Sequence, residues 1–105
     1  MSDYIDKYLN YLLYQKKYSS NTVLGYYEDL LFFKDYLEVN NYYFLEVSYE
    51  IIREFYNYMD KQKYSKNTIS RKISSLRSFY IIMSLRNYLR PVLWIIYMVL
   101  EIDLF

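Results

Sequence analysis

The chain has 105 residues, 54% hydrophobic and 24% charged, which suits one packed domain and excludes a disordered segment. It contains neither Cys nor His, so disulfides, thiolate metal sites and the commonest general base are all excluded. The net charge of +1 conceals segregation: residues 1–59 carry −4, residues 60–90 carry +7 and residues 91–105 carry −2. A positive field concentrated in the third quarter makes a polyanion the partner to consider.

Tyr occurs 17 times, Gly and Pro once each, and Ala not at all. An AT-rich genome and selection for aromatic contacts would each enrich Tyr, but only the first accounts for the missing Ala. The tyrosines as a class therefore say little about function. "MSDYIDKYL" begins with acids and lacks the basic-then-apolar order of a secretion signal, so a cytoplasmic protein is expected.

Scarce Gly and Pro, with apolar residues three and four apart, predict an all-α protein. The first helix is expected over Asp3–Lys16 with Ser2 as N-cap. Its inward stripe is Ile5, Tyr8, Leu9, Leu12 and Leu13. Lys16 and Lys17 then suit its negative C-terminal dipole. The second helix follows Ser19 and runs to about Glu38, facing inward through Val23, Tyr26, Leu30, Phe33 and Leu37. "VNNYYFLEV" reads as a turn and a short connector. Ser48 caps a third helix over Tyr49–Lys61, inward through Ile52, Phe55 and Met59. Ser65 caps a fourth from Lys66 to about Leu85, with Ile69, Ile73, Leu76, Tyr80 and Met83 as its core stripe.

"YSSNT" at 18–22 recurs as "YSKNT" at 64–68, each time opening a long helix after a shorter one. The repeat predicts a four-helix bundle made of two crossed helical hairpins. The last residues, "PVLWIIYMVLEIDLF", contain nine consecutive apolar residues, far short of the roughly 20 needed to span a bilayer. A buried helix or strand, a sticky tail and a segment read in a lost frame all remain open for them.

Winding residues 66–83 at about 100° per residue sets Lys66, Arg77, Ser70, Ser74, Asn67, Ser78 and Arg71 opposite the core stripe. No acid lies between Lys61 and Arg90, and serine is a mediocre helix former, so an ordinary solvated face is poorly matched. Small hydroxyls permit close approach to another surface, while Arg and Lys neutralise phosphates and Asn67 or an Arg can reach base edges. Free N–H groups at Lys66, Asn67 and Thr68 would add an anion site at the helix start. A helix in a DNA major groove combines all three features. A plain solvated face and a protein contact are the competing readings.

Two stretches then carry a family resemblance. The first is Ser19-x-x-Thr22 with Tyr26, Asp29-Leu30, Phe33 and Tyr36-Leu37. The second is Ser65, Thr68-Ile69, Arg71, Ile73-Ser74-Ser75-Leu76-Arg77 and Ser78-Phe79-Tyr80. In order and spacing they resemble the SAM-like N-terminal core-binding domain of tyrosine recombinases, the phage integrase and Xer-like family. The resemblance covers residues 4 to about 91, with "FLEVSYEIIREFYNYM" matching the helix between.

It implies a DNA-binding domain at 1–91 that serves as one jaw of a clamp for site-specific recombination or DNA integration. The second and fourth helices would face double-stranded DNA. Asn21, Thr22, Lys66, Asn67, Thr68, Ser70, Arg71, Ser74, Arg77 and Ser78 are then the expected contacts. Structural roles stay open for Thr22 and Thr68 in first turns, and for Arg77 as a brace.

In that family an Arg, Lys, His, Arg constellation and a nucleophilic Tyr belong to a second domain, which would follow Pro91. No catalytic residue, metal or cofactor is therefore expected here. Residues 92–105 are expected to be an apolar tail in place of the interdomain linker, from a truncated or frameshifted product. The alternative function is a protein-interaction module, or an inert remnant. Such a module would bind itself or a full-length recombinase through Val92, Leu93, Trp94, Ile95, Ile96 and Tyr97.

Overall fold

A computed structural model describes residues 1–89. The boundary expected at Pro91, the tail 92–105 and its interaction patch lie outside the described residues. The described residues form α1 (Ser2–Asn10), a π-helical turn (Tyr11–Gln15), α2 (Ser20–Val39), a 3₁₀ turn (Phe44–Glu46), α3 (Tyr49–Lys61) and α4 (Lys66–Leu85). α4 packs against each of the other three helices, and α1 also rests on α2. The all-α, four-helix expectation is met.

The caps form where hydroxyls were available. Ser19, Ser48 and Ser65 each accept a hydrogen bond from the backbone N–H three residues on, at Thr22, Ile51 and Thr68. This satisfies one donor that the first turn would otherwise leave unpaired. The start of α1 differs from expectation. Ser2 lies inside the helix, and Met1 holds the cap position with its carbonyl accepting from the Ile5 N–H at 3.0 Å. The end of that segment differs too. Beyond Asn10 the ladder widens, the Lys16 N–H reaching the Tyr11 carbonyl at 3.0 Å, so the expected α-helix to Lys16 finishes as a π turn.

Four helical segments leave through a left-handed residue followed by a tyrosine: Lys17-Tyr18, Asn41-Tyr42, Lys63-Tyr64 and Asn87-Tyr88. At Lys63 (φ 67°) the N–H bonds the Asp60 carbonyl at 3.0 Å, and the Tyr64 N–H bonds Met59 at 3.2 Å. Asn41 and Asn87 make the same paired bonds, a Schellman closure that spends two orphan carbonyls. Glycine normally takes this position because a Cβ makes left-handed backbone costly. Three of the tyrosine rings turn back onto neighbours: Tyr18 stacks with Tyr26, Tyr64 meets Phe32 edge-on and Tyr42 lies beside Tyr36.

The core follows the predicted stripes closely. Ile5, Tyr8 and Leu12, then Leu30, Phe33 and Leu37, then Ile52, Phe55 and Met59 converge on Ile69, Ile73, Leu76, Tyr80 and Met83. Tyr26, Leu9 and Leu13 are partly buried at its edge. Phe79, absent from the predicted stripe, is fully buried and meets Tyr8 edge-on at 5.5 Å. α4 is thus enclosed around most of its circumference, which a central helix requires.

Two phenols are sealed in this core. Tyr80 donates to the Phe44 carbonyl at 2.7 Å, pinning the connector between α2 and α3. Tyr8 pairs with the Ser78 hydroxyl at 2.7 Å. Burial pushes both phenols far above the ordinary range, because a phenolate there would be poorly solvated. Tyr36, at the margin, is pushed up to about 12, first by burial and then by the charge of Glu54.

Below pH about 10, phenols stay protonated in the folded and unfolded chains alike, so Tyr8 and Tyr80 confer no pH dependence. Above it, the unfolded chain ionises them while the folded chain does not, and stability falls with rising pH. The expected loss is about 1.4 kcal/mol per pH unit for each phenol. Urea unfolding at pH 9, 10 and 11 checks this; a flat profile would mean that the phenols are not sealed. Lys63→Gly should raise stability by about 0.5–1 kcal/mol by relieving the left-handed backbone, against the added freedom of an unfolded glycine. A lower denaturation midpoint would refute that account of the exit turn.

Candidate nucleic-acid interface

The helix starts repeat in geometry as well as in sequence. Ser19 and Ser65 sit at nearly the same angles (φ −65° for both, ψ 156° and 155°). Each donates its hydroxyl to the threonine hydroxyl three residues on, at 2.9 Å. Thr22 and Thr68 are therefore built into the first turns. The Thr68 N–H is not free as expected, since Ser65 Oγ occupies it at 3.1 Å. Asn21, Lys66 and Asn67, by contrast, stand exposed at the two starts.

Further along, the polar residues of α4 divide. Ser70 and Ser74 are exposed, Arg77 is half-buried, and Ser78 is half-buried against Tyr8 of α1. Ser75 and Lys72 point inward, at 3% and 8% exposure, toward a carboxylate that the inward stripe of α2 did not include. That carboxylate is Asp29, 1% exposed. Its Oδ2 accepts from the Ser75 hydroxyl at 2.7 Å, and its Oδ1 accepts from Lys72 Nζ at 3.2 Å and Arg71 Nη2 at 2.9 Å. The Lys72 ammonium also lies over the Phe32 ring, 4.4 Å from its centre. A buried carboxylate persists only when its charge and lone pairs are met, and here α4 supplies every partner.

The three charged members of this cluster leave one unit of positive charge in excess. It sits on the outside: the Arg71 side chain is 60% exposed, against 10% for Lys72. Arg71 commits one nitrogen to Asp29 and directs the rest of its planar fork over the surface. Arg71 braces α4 against α2, and Arg77, for which a bracing role was left open, has no ion pair among the described residues. Between α2 and α4 the outer surface sinks into a shallow groove lined by Thr22, Gly25, Tyr26, Asp29, Arg71, Ser74 and Ser75.

Of the expected contacts, Thr22, Arg71 and Ser74 meet around this groove, while Asn21, Lys66, Asn67 and Ser70 stand exposed along their helices. Ser78 turns instead toward α1. The residues that the sequence reading did not assign to the site are Gly25, Tyr26, Asp29, Lys72 and Ser75. Asp29 and Lys72 had a usable signal, since an acid within an apolar stripe and a cation three residues after Ile69 both occupy inward positions on their helices. Among the described residues no helix is long and apolar enough to cross a membrane.

Comparison with known proteins places this chain in a family. The profile described as "Phage integrase, N-terminal SAM-like domain" matches residues 5–87. The tyrosine recombinase XerC of Halalkalibacterium halodurans is 37% identical over 78 residues, which cover 73% of this chain and 26% of that protein. XerC of Oceanobacillus iheyensis is 37% identical over 86 residues, covering 81% of this chain and 28% of the relative. XerD of Rickettsia bellii is 31% identical over 93 residues, covering 87% and 30%. The chain therefore spans a quarter to three-tenths of the length of the relatives it matches. No solved structure matches.

Because Asp29–Lys72 is the buried pair and Arg71 is mostly exposed, the three residues should differ in weight. Asp29→Asn is expected to cost about 3–5 kcal/mol by stranding a buried ammonium. Arg71→Gln should cost about 1 kcal/mol or less, since its ion pair is screened. Urea denaturation of both variants tests the order; equal costs would overturn it.

Proposed function

The chain belongs to the phage integrase N-terminal SAM-like domain family, and from that premise we propose that it grips duplex DNA through α2 and α4 during recombination or integration. It serves binding and positioning, with no strand-transfer chemistry of its own, in the cytoplasm where the DNA lies. The observation that carries this reading is the outer side of α4. Lys66, Asn67, Ser70 and Ser74 are exposed, no acid occurs in the helix, and the acid that it pairs with among the described residues, Asp29, is buried and neutralised.

A solvated helix face would carry acids alternating with the cations. This one has a uniform sign, short side chains and a cation held in a fixed pose. That combination suits close approach to a phosphate-lined surface, with little side-chain entropy left to lose on contact. Thr22, at the start of α2, lines one groove with Arg71 and Ser74 of α4, which supports both helices addressing one duplex. With about four to six phosphates contacted, the lone domain should bind weakly, roughly in the 10⁻⁴ to 10⁻⁶ M range of non-specific binding.

Arg71→Glu is a poor probe, because it would set a second carboxylate beside Asp29. Lys66 and Arg77 have no ion-pair partner among the described residues and are the better pair. Lys66→Gln with Arg77→Gln should weaken binding to a random 30-base-pair duplex about tenfold or more at low salt. It should also flatten the plot of log affinity against log salt by nearly 2 units, about 0.9 per lost phosphate contact. Helical circular dichroism should be unchanged. Undiminished affinity with an unchanged slope would refute the assignment of this face.

A further inference from the structure

Gly25 is the single glycine of the chain, and it lies inside α2, where glycine costs roughly 1 kcal/mol relative to alanine. Its backbone does not require it: φ is negative, and the left-handed positions among the described residues are occupied by Lys and Asn instead. Packing does not require it either, because a Cβ built there meets nothing within 4 Å. The missing side chain opens onto the groove between α2 and α4. Neither the fold nor the helix accounts for a bare backbone at that point. A surface that approaches from outside does.

The groove has a chemistry to match. Thr22 and Ser74 line it with hydroxyls, and Arg71 stands in it as a half-free guanidinium. Arg71 does not wander, because Asp29 holds one of its nitrogens at 2.9 Å. Asp29 also lines the groove, but it is almost fully buried and its charge is met by Arg71, Lys72 and Ser75.

We propose that this groove is a seat for one backbone phosphate of duplex DNA. Arg71 is its charged donor, Thr22 and Ser74 its hydroxyl donors, Gly25 the clearance that lets the strand reach the helix, and Asp29 the positioning residue for Arg71. The inference rests on the DNA-binding reading above and refines it. Arg71 holds the strand irrespective of sequence, and base edges are left to Asn67 and Ser70. A phosphate contact fixes register and orientation without reading sequence. A cation already locked by a buried carboxylate suits that task better than a search among base edges.

The test adds a side chain where the fold has room for one. Gly25→Leu should fold at least as well as the parent, with an equal or higher thermal midpoint. Its affinity for a random 30-base-pair duplex should fall about tenfold, with a salt slope shallower by about 0.9, the signature of one lost phosphate. The loss should be the same factor on duplexes of unrelated sequence. Gly25→Gln, at home on an exposed helix, repeats the measurement if the leucine variant self-associates. Unchanged affinity and slope in a parent that binds DNA would overturn the phosphate seat alone. Weakened binding at an unchanged slope, or a loss confined to some sequences, would assign the groove to bases instead. A parent that retains no duplex at low salt would bring down the DNA reading itself, and the seat with it.

Discussion

The structure turns on a carboxylate that water does not reach. Asp29 projects from α2 into the seam with α4 and would be intolerable there as an isolated charge. Lys72, Ser75 and Arg71 arrive from successive positions of one helix, so a single register of α4 against α2 satisfies all the bonds. Sliding or turning α4 by one residue would strand at least one buried polar group. Apolar packing alone is more forgiving, since a leucine stripe tolerates small shifts. The buried ionic cluster therefore favours one helix register in this bundle, in addition to whatever net stability it confers.

That cluster also explains which parts of the molecule were legible from sequence. Cap serines, helix spans and the stripes of α3 and α4 followed from local rules because each depends on neighbours three or four residues away. The positions of Ser19, Ser48 and Ser65 coincide with the observed caps. Lys72 and Ser75 were missed for the opposite reason. The wheel gives Lys72 an inward place, but both residues are polar, and what makes their burial tolerable is an acid 43 and 46 positions earlier. The π turn after Asn10 and the entry of Ser2 into α1 likewise leave no mark in composition. Of the candidate face, the exposed serines and the α4 start were legible, whereas the loss of Ser78 to Tyr8 was not.

A scarcity of small residues shapes the rest. With one glycine available, the left-handed exits fall to Lys17, Asn41, Lys63 and Asn87, and tyrosines that follow them pack back onto the bundle. The abundance of tyrosine, uninformative about function as a bulk number, thus acquires positional meaning. Some phenols close helix ends, and Tyr8 and Tyr80 carry hydrogen bonds through the core to Ser78 and Phe44. An aromatic that must be buried with its hydroxyl needs a partner at a definite place, and both partners are supplied by chain segments distant in sequence.

The division of labour between Arg71 and Lys72 joins fold to function. A lysine presents a compact point charge, and Lys72 can be enclosed between a carboxylate and the face of Phe32. An arginine presents a planar fork, so Arg71 can bind the same oxygen with one nitrogen and keep the others in solvent. Exchanging the two would bury the larger fork and leave the exposed site with a flexible ammonium, weakening both the seam and the outer surface. Binding strength gained by holding Arg71 still is drawn from the same bonds that set the helix register. The fold and the proposed grip on DNA are in this sense one arrangement, and the charge that α4 shows to solvent is the surplus left after Asp29 has been neutralised.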